Sequence, residues 1–232
     1  MNKWFRLDSP IMMGLSRLSD LVIVSFLWFV CCLPVVTIGA STTAMYYVLL
    51  KVVRDEEDVK LIPTFFQSFK SNFRQATVMN LISLVLGAIL LADAYYWFFG
   101  QGSMATISFA IFFAAFVWLV CIMSYAYPLQ AQFYNTVKQT LINGAILSMR
   151  KFPVTVIVFL LNTLPVILTI LCLINFGHFS LMVQTLPIWI LLYPGIAAYI
   201  NAKFFVKMFD PFLKEAKERQ ETEKESVEQI ED

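Results

Sequence analysis

Leu33-Pro34-Val35-Val36-Thr37-Ile38-Gly39-Ala40-Ser41-Thr42-Thr43-Ala44 is the stretch on which the reading of this chain turns. One apolar run enters it from Leu21 and a second leaves it toward Val53. Pro34 removes a backbone donor and restricts the residue before it. Gly39 accepts turns that other residues resist. Thr37, Ser41, Thr42 and Thr43 permit close backbone approach and can bond freed carbonyls. The pattern predicts two helical limbs folded into a hairpin at a break from Pro34 to Gly39.

Composition supplies the solvent. Hydrophobic residues make up 59% of the 232 residues and charged residues 14%, with a mean hydropathy of +0.72. A soluble domain of this size cannot hide that much apolar surface, so the lipid bilayer is expected to cover much of it. The predicted class is an all-α polytopic membrane bundle of about six segments with amphipathic surface helices, residues 1–210, followed by a charged tail, 211–232. A net charge of +1, with no basic stripe carrying interleaved aromatics, gives no argument for nucleic acid. Lys3 and Arg6 precede the first apolar run without a small-residue cleavage site, so that span is expected to be retained.

In chain order, Ser9-Pro10 reads as a helix start, and a helix from there to Leu33 is long enough to cross. Ala40 to Val53 is a shorter limb, about 21 Å if helical. Asp55 to Asp58 is an acidic turn. Ile62 to Arg74 sets Phe65, Phe66, Phe69 and Phe73 against polar residues; it reads either as a surface helix or as the extended end of the next span. Spans follow at Ala76 to Phe99, ending in the Tyr95-Tyr96-Trp97 belt, and at Ala105 to Tyr127. Tyr134 to Met149 reads as a surface helix with Val137, Leu141, Ala145, Ile146 and Met149 on one side. A span from Phe152 to Asn175 is expected to be interrupted at Pro165, and another runs from Leu181 to about Lys207, after a short turn at Phe176 to Ser180.

The basic residues choose between five spans and six. Three lie before Asp20, five from Lys51 to Arg74, three from Lys138 to Lys151 and six from Lys203 onward, while the turns at Gly100 and Phe176 have none. A bent first hairpin places all 17 on one side, whereas a single first span splits them. Six segments with both ends cytoplasmic is therefore the expectation, with a re-entrant second limb as the alternative. Two echoes fit duplication or, equally, coincidence in an apolar sequence: Tyr127-Pro128, Ala131 and Asn135 recur as Tyr193-Pro194, Ala197 and Asn201, and Leu33-Pro34-Val35 recurs as Leu164-Pro165-Val166.

No catalytic, cofactor-binding or metal-binding residue is assigned. Cys31, Cys32, Cys121 and Cys172 lie in apolar runs as packing residues, and His178, the only histidine, is read as a surface residue of an outer turn. No phosphate loop, nucleotide fingerprint or zinc-protease motif is present. The polar candidates within the spans are Asn80, Gln130, Gln132, Asn135, Asn162 and Asn201, read as interhelical hydrogen-bonding groups with a solute pathway as the competing reading. Asp93 is the acid away from the charged clusters; beside Tyr95 and Tyr96 it is read as solvated at the interface rather than as a proton or solute ligand.

The hairpin from Leu33 to Ala44, with Lys51, Arg54, the acidic turn and Phe69-Lys70-Ser71-Asn72-Phe73-Arg74-Gln75-Ala76, resembles the YesL family of small bacterial integral membrane proteins. Ala40 stands where the family often has Pro. The resemblance implies a multi-pass protein of the bacterial cytoplasmic membrane, associated with saccharide uptake and degradation. It also implies an accessory role beside a sugar importer rather than an enzymatic one. A small carrier that moves a solute itself is the second reading, and a membrane enzyme the third.

Overall fold

The computed structural model describes residues 10–56, 59–174 and 191–231. Among these the chain is helical throughout, with no strand. The expected outer turn at Phe176 to Ser180 with His178, and the first part of the span expected from Leu181, lie outside the described residues.

Helix α1 (Pro10–Cys32) starts on the proline, whose missing N–H is no loss at a first helical position. It ends at a bend over residues 33 and 34. A single 3-10 turn, Val35–Thr37, then leads into α2 (Ile38–Val53). The break is therefore narrower than Pro34 to Gly39. Gly39 lies inside α2, and among the described residues only Asp55 and Gly102 have positive φ. What requires glycine there is space. A Cβ on Gly39 would sit 2.4 Å from the Ala76 carbonyl oxygen, 2.8 Å from Asn80 Cβ and 3.1 Å from Tyr127 Cε1.

Helix α2 is the axis of the bundle. Its residues are buried on nearly every side, from Gly39, Ala40 and Ser41 at one end to Leu49, Leu50 and Val52 at the other. It packs against α1 and against three later helices, α3 (Leu61–Phe98), α4 (Ser103–Gln132) and α7 (Tyr193–Glu231). A helix enclosed all round is apolar or small all round, which is why its sequence shows no polar face.

Helix α3 (Leu61–Phe98) runs unbroken for 38 residues, about 57 Å at 1.5 Å per residue. It joins the Ile62 to Arg74 segment to the Ala76 to Phe99 span, so the first of these is the extension of the span. Between Pro63 and Gly87 nothing interrupts a helix. Phe65, Ser68, Ala76, Met79 and Asn80 face inward, while Lys70 and Arg74 stay exposed. Lys70→Gln is expected to keep the thermal stability in detergent within about 0.5 kcal/mol of wild type. Flotation with anionic vesicles should show about 1 kcal/mol weaker attraction.

After a turn with Gly102 at φ 90, α4 (Ser103–Gln132) returns beside α3. Tyr95, Tyr96, Phe98 and Phe99 are exposed around that turn, an arrangement suited to a membrane interface. Helix α5 (Val137–Arg150) opens with a capping box, Thr136 and Gln139 bonding each other's backbone N–H groups. The side expected to be apolar is split: Val137 and Leu141 pack against the α3–α4 core, while its far end faces outward. Thr140, Gly144 and Ser148 are buried, and Ile142, Ile146 and Met149 point outward. Small residues let α5 approach α4, where a Cβ on Gly144 would come 3.0 Å from the Ile122 carbonyl oxygen.

Helix α6 (Phe152–Ile174) meets α5 at a bend of 108° and continues through Pro165 without the expected interruption. Helix α7 (Tyr193–Glu231) likewise passes through Pro211, so the Lys- and Glu-rich tail continues its helix. The internal echoes are not structural. Leu33-Pro34 forms the break while Leu164-Pro165 lies mid-helix, and Tyr127-Pro128 is late in α4 while Tyr193-Pro194 begins α7. Four helical stretches among the described residues are long and apolar enough to cross a bilayer: 14–32, 35–53, 61–98 and 103–132. Counting the bent α5–α6 pair makes five.

Candidate functional site

The sequence-selected polar residues assemble at three junctions. The first holds the break. Asn80 Nδ2 donates to the Val35 carbonyl at 3.0 Å, and Tyr127 Oη donates to Asn80 Oδ1 at 3.2 Å. Thr37 Oγ1 donates to the carbonyls of Cys31 (2.6 Å) and Pro34 (2.7 Å), and its backbone N–H also reaches Pro34. Ser41 Oγ donates to the Trp28 carbonyl at 2.9 Å. Thr42 Oγ1 accepts from Trp28 Nε1 at 3.1 Å while donating to Ile38. The side chains after the proline thus bond the carbonyls it frees, as a non-aqueous setting requires. Pro34 itself is exposed, and Thr43 is buried with no partner for Oγ1 among the described residues.

A second junction lies between α3, α4 and α5. Gln130 Nε2 donates to Gln75 Oε1 and to Asn72 Oδ1 (3.3 Å), and Thr140 Oγ1 donates to Gln130 Oε1 at 3.1 Å. The third links α2, α4, α6 and α7. Asn201 Nδ2 donates to Tyr46 Oη (3.3 Å) and Asn162 Oδ1 (3.1 Å), and Asn162 Nδ2 donates to Ser124 Oγ (3.2 Å). Asn201 is fully buried, and its Oδ1 has no partner among the described residues.

Two candidates stand apart. Asn135 sits in the α4–α5 connection, half-buried beside a surface groove with Asn143 and Arg150. Asp93 is half-buried on α3, next to exposed Tyr95 and Tyr96, with no ion pair among the described residues. Asp93→Asn is expected to leave membrane yield and thermal stability unchanged. A large drop in either would give the carboxylate a structural role.

The charged groups gather at the open end of the hairpin. Arg17 bonds Asp55 and donates from Nη1 to the Val52 carbonyl at 2.7 Å, in the last turn of α2, where the Asp55 N–H also reaches it at 3.3 Å. Arg54 donates from Nε to Asp210 at 3.0 Å and from Nη1 to Gln132 at 2.8 Å, tying α2 to α7 and α4. Lys51 pairs with Glu56 at 3.4 Å.

Between the hairpin and α3, α4, α6 and α7 lies a cavity of about 380 Å³. Trp28, Phe116, Leu119 and Met123 make its walls largely apolar, and Thr42, Ser83, Ser124, Tyr127, Asn162 and Tyr193 add neutral hydrogen-bonding groups. Such a lining can hold a neutral molecule by stacking and hydrogen bonds. Among the described residues its lining shows no acid–base pair or nucleophile–base pair for proton or acyl transfer. Among the described residues, no group of His, Cys, Asp and Glu could hold a metal, and Cys31, Cys32 and Cys121 are free thiols.

Several residues of these junctions were not picked out by the sequence. Gly195 N–H donates to Ser25 Oγ at 2.8 Å, and a Cβ on Gly195 would lie 2.6 Å from the Leu21 carbonyl oxygen. Tyr127, Gln75 and Thr140 joined the networks equally unannounced. The one local cue was Gly195 directly after Tyr193-Pro194, since a glycine inside an apolar helix signals close packing.

The family described as "Protein of unknown function, DUF624" matches residues 21–94. That stretch covers the second half of α1, the break, α2 and nearly all of α3. No curated protein and no solved structure gives a significant match to the chain.

Proposed function

We propose that this chain is a multi-pass accessory protein of the bacterial cytoplasmic membrane, with both ends in the cytoplasm, that serves a saccharide-import system as a partner and not as an enzyme. The observation that supports it is how the polar groups of the spans are used. Asn80, Gln130, Asn162 and Asn201 bond one another's helices, so their hydrogen-bonding capacity goes into holding the bundle together. The saccharide association rests on the resemblance to the YesL family, and the one-sided basic residues favour the orientation.

The second reading, a small carrier, is favoured by the cavity at Trp28, Tyr127 and Asn162. Two measurements on the full chain separate them. Copurification with a binding-protein-dependent importer supports the accessory role. Saccharide flux into liposomes containing this protein alone would overturn it in favour of the carrier.

A further inference from the structure

The hairpin and the α3–α4 pair do not end at the same depth. The break is docked at Asn80 and Tyr127. From Asn80, α3 continues to Phe98, about 27 Å further. From Tyr127 back to Ser103, α4 extends about 36 Å. A hairpin that crossed beside them would finish near the turn at Phe99 to Gly102. This one stops about 27 Å short of it along α3, just inside the far edge of a hydrocarbon core about 30 Å thick.

The tip is also built for lipid. Leu33 is 67% exposed and Val35 58%, with Val36 beside them, and no charge lies nearby in sequence. Its backbone is closed on itself: Leu33 N–H bonds Val30, Thr37 bonds Cys31 and Pro34, and Asn80 bonds Val35. The α3–α4 turn, by contrast, is Gly100-Gln101-Gly102, a wet sequence. At the other end of the hairpin, Arg17, Asp55, Arg54 and Asp210 pair as groups at an aqueous boundary do. We infer that α1 and α2 form a re-entrant hairpin. It enters from the basic side, carries Leu33 to Val36 into the acyl chains, and returns to the same side.

The experiment uses the full chain in liposomes, its four cysteines replaced by alanine, with single cysteines at Leu33, Lys60 and Gln101. Each variant is taken from its monodisperse fraction. A membrane-impermeant maleimide should label Gln101→Cys from one face only and Lys60→Cys from the other only. It should label Leu33→Cys from neither. A nitroxide at Leu33 should then be more accessible to oxygen than to a polar nickel chelate, a positive signal of burial in lipid. Labelling of Leu33→Cys from the Gln101 face would show a crossing hairpin and overturn the inference. Labelling from the Lys60 face, or greater access to nickel, would show a wet loop and overturn it equally.

Discussion

Gly39→Val is expected to lose most of the folded protein from the membrane and to lower the thermal stability of what remains in detergent. The added side chain enters a space bounded by the Ala76 carbonyl oxygen, 2.4 Å from the position of a Cβ. A backbone carbonyl in the middle of α3 cannot swing aside, so α2 and α3 must separate. Overpacking of a tight core costs about 1–3 kcal/mol, and the immovable neighbour puts this site at the upper end. Separation would also strain the Asn80 bridge to Val35. Even Gly39→Ala should destabilise, whereas Lys70→Gln, changed in parallel, should not. Wild-type behaviour of Gly39→Val would mean that the two helices do not approach as closely as described.

Asn80→Leu carries the second large effect. The substitution keeps the branched shape but deletes both functions of the amide. The Val35 carbonyl keeps only its bond from Ile38 N–H, and the half-buried Tyr127 hydroxyl loses its Asn80 acceptor and keeps only Ser83 beside it. Bonds between membrane helices average about 0.6 kcal/mol with a maximum near 1.7, which sets the scale here. Tyr127→Phe should recover part of the loss in the Asn80→Leu background, since it removes the hydroxyl left without that acceptor. Thermal melts of the two single variants and the double variant measure that coupling. Strict additivity would argue against the Asn80–Tyr127 bond.

The break was legible because its signals are local. Pro34 sits between apolar runs, and Thr37, Ser41 and Thr42 act within the next helical turns. Gly39 was expected in the turn and lies instead inside α2, where close packing requires it. A glycine after a proline signals a turn as readily as a close approach. The groups that decide between them, Ala76 and Asn80, lie far along the chain. The same holds for α5. Its apolar residues mark a face, but only the position of α4 shows that the small residues pack deepest, with Val137 and Leu141 beside them and Ile146 and Met149 outward. The segment from Ile62 to Arg74 read equally as a surface helix or as the extended end of the next span; it is the second, and its Asn72 accepts from Gln130 of α4. Among the candidates, Asn80, Gln130, Asn162 and Asn201 found partners across helices while Asp93 and Asn135 did not. Residue type marks such groups, but which helices meet is a property of the whole bundle.

The distance from the hairpin tip to the α3–α4 turn tests the docking at Asn80 most directly. Spin labels at Leu33 and Phe99, in liposomes, can be measured by double electron–electron resonance. A tip docked at Asn80 gives a separation of about 30 Å, the axial rise from Asn80 to Phe98 plus a helix-packing offset. A distance under about 15 Å would place the break beside the turn, level with the end of α3, and contradict it.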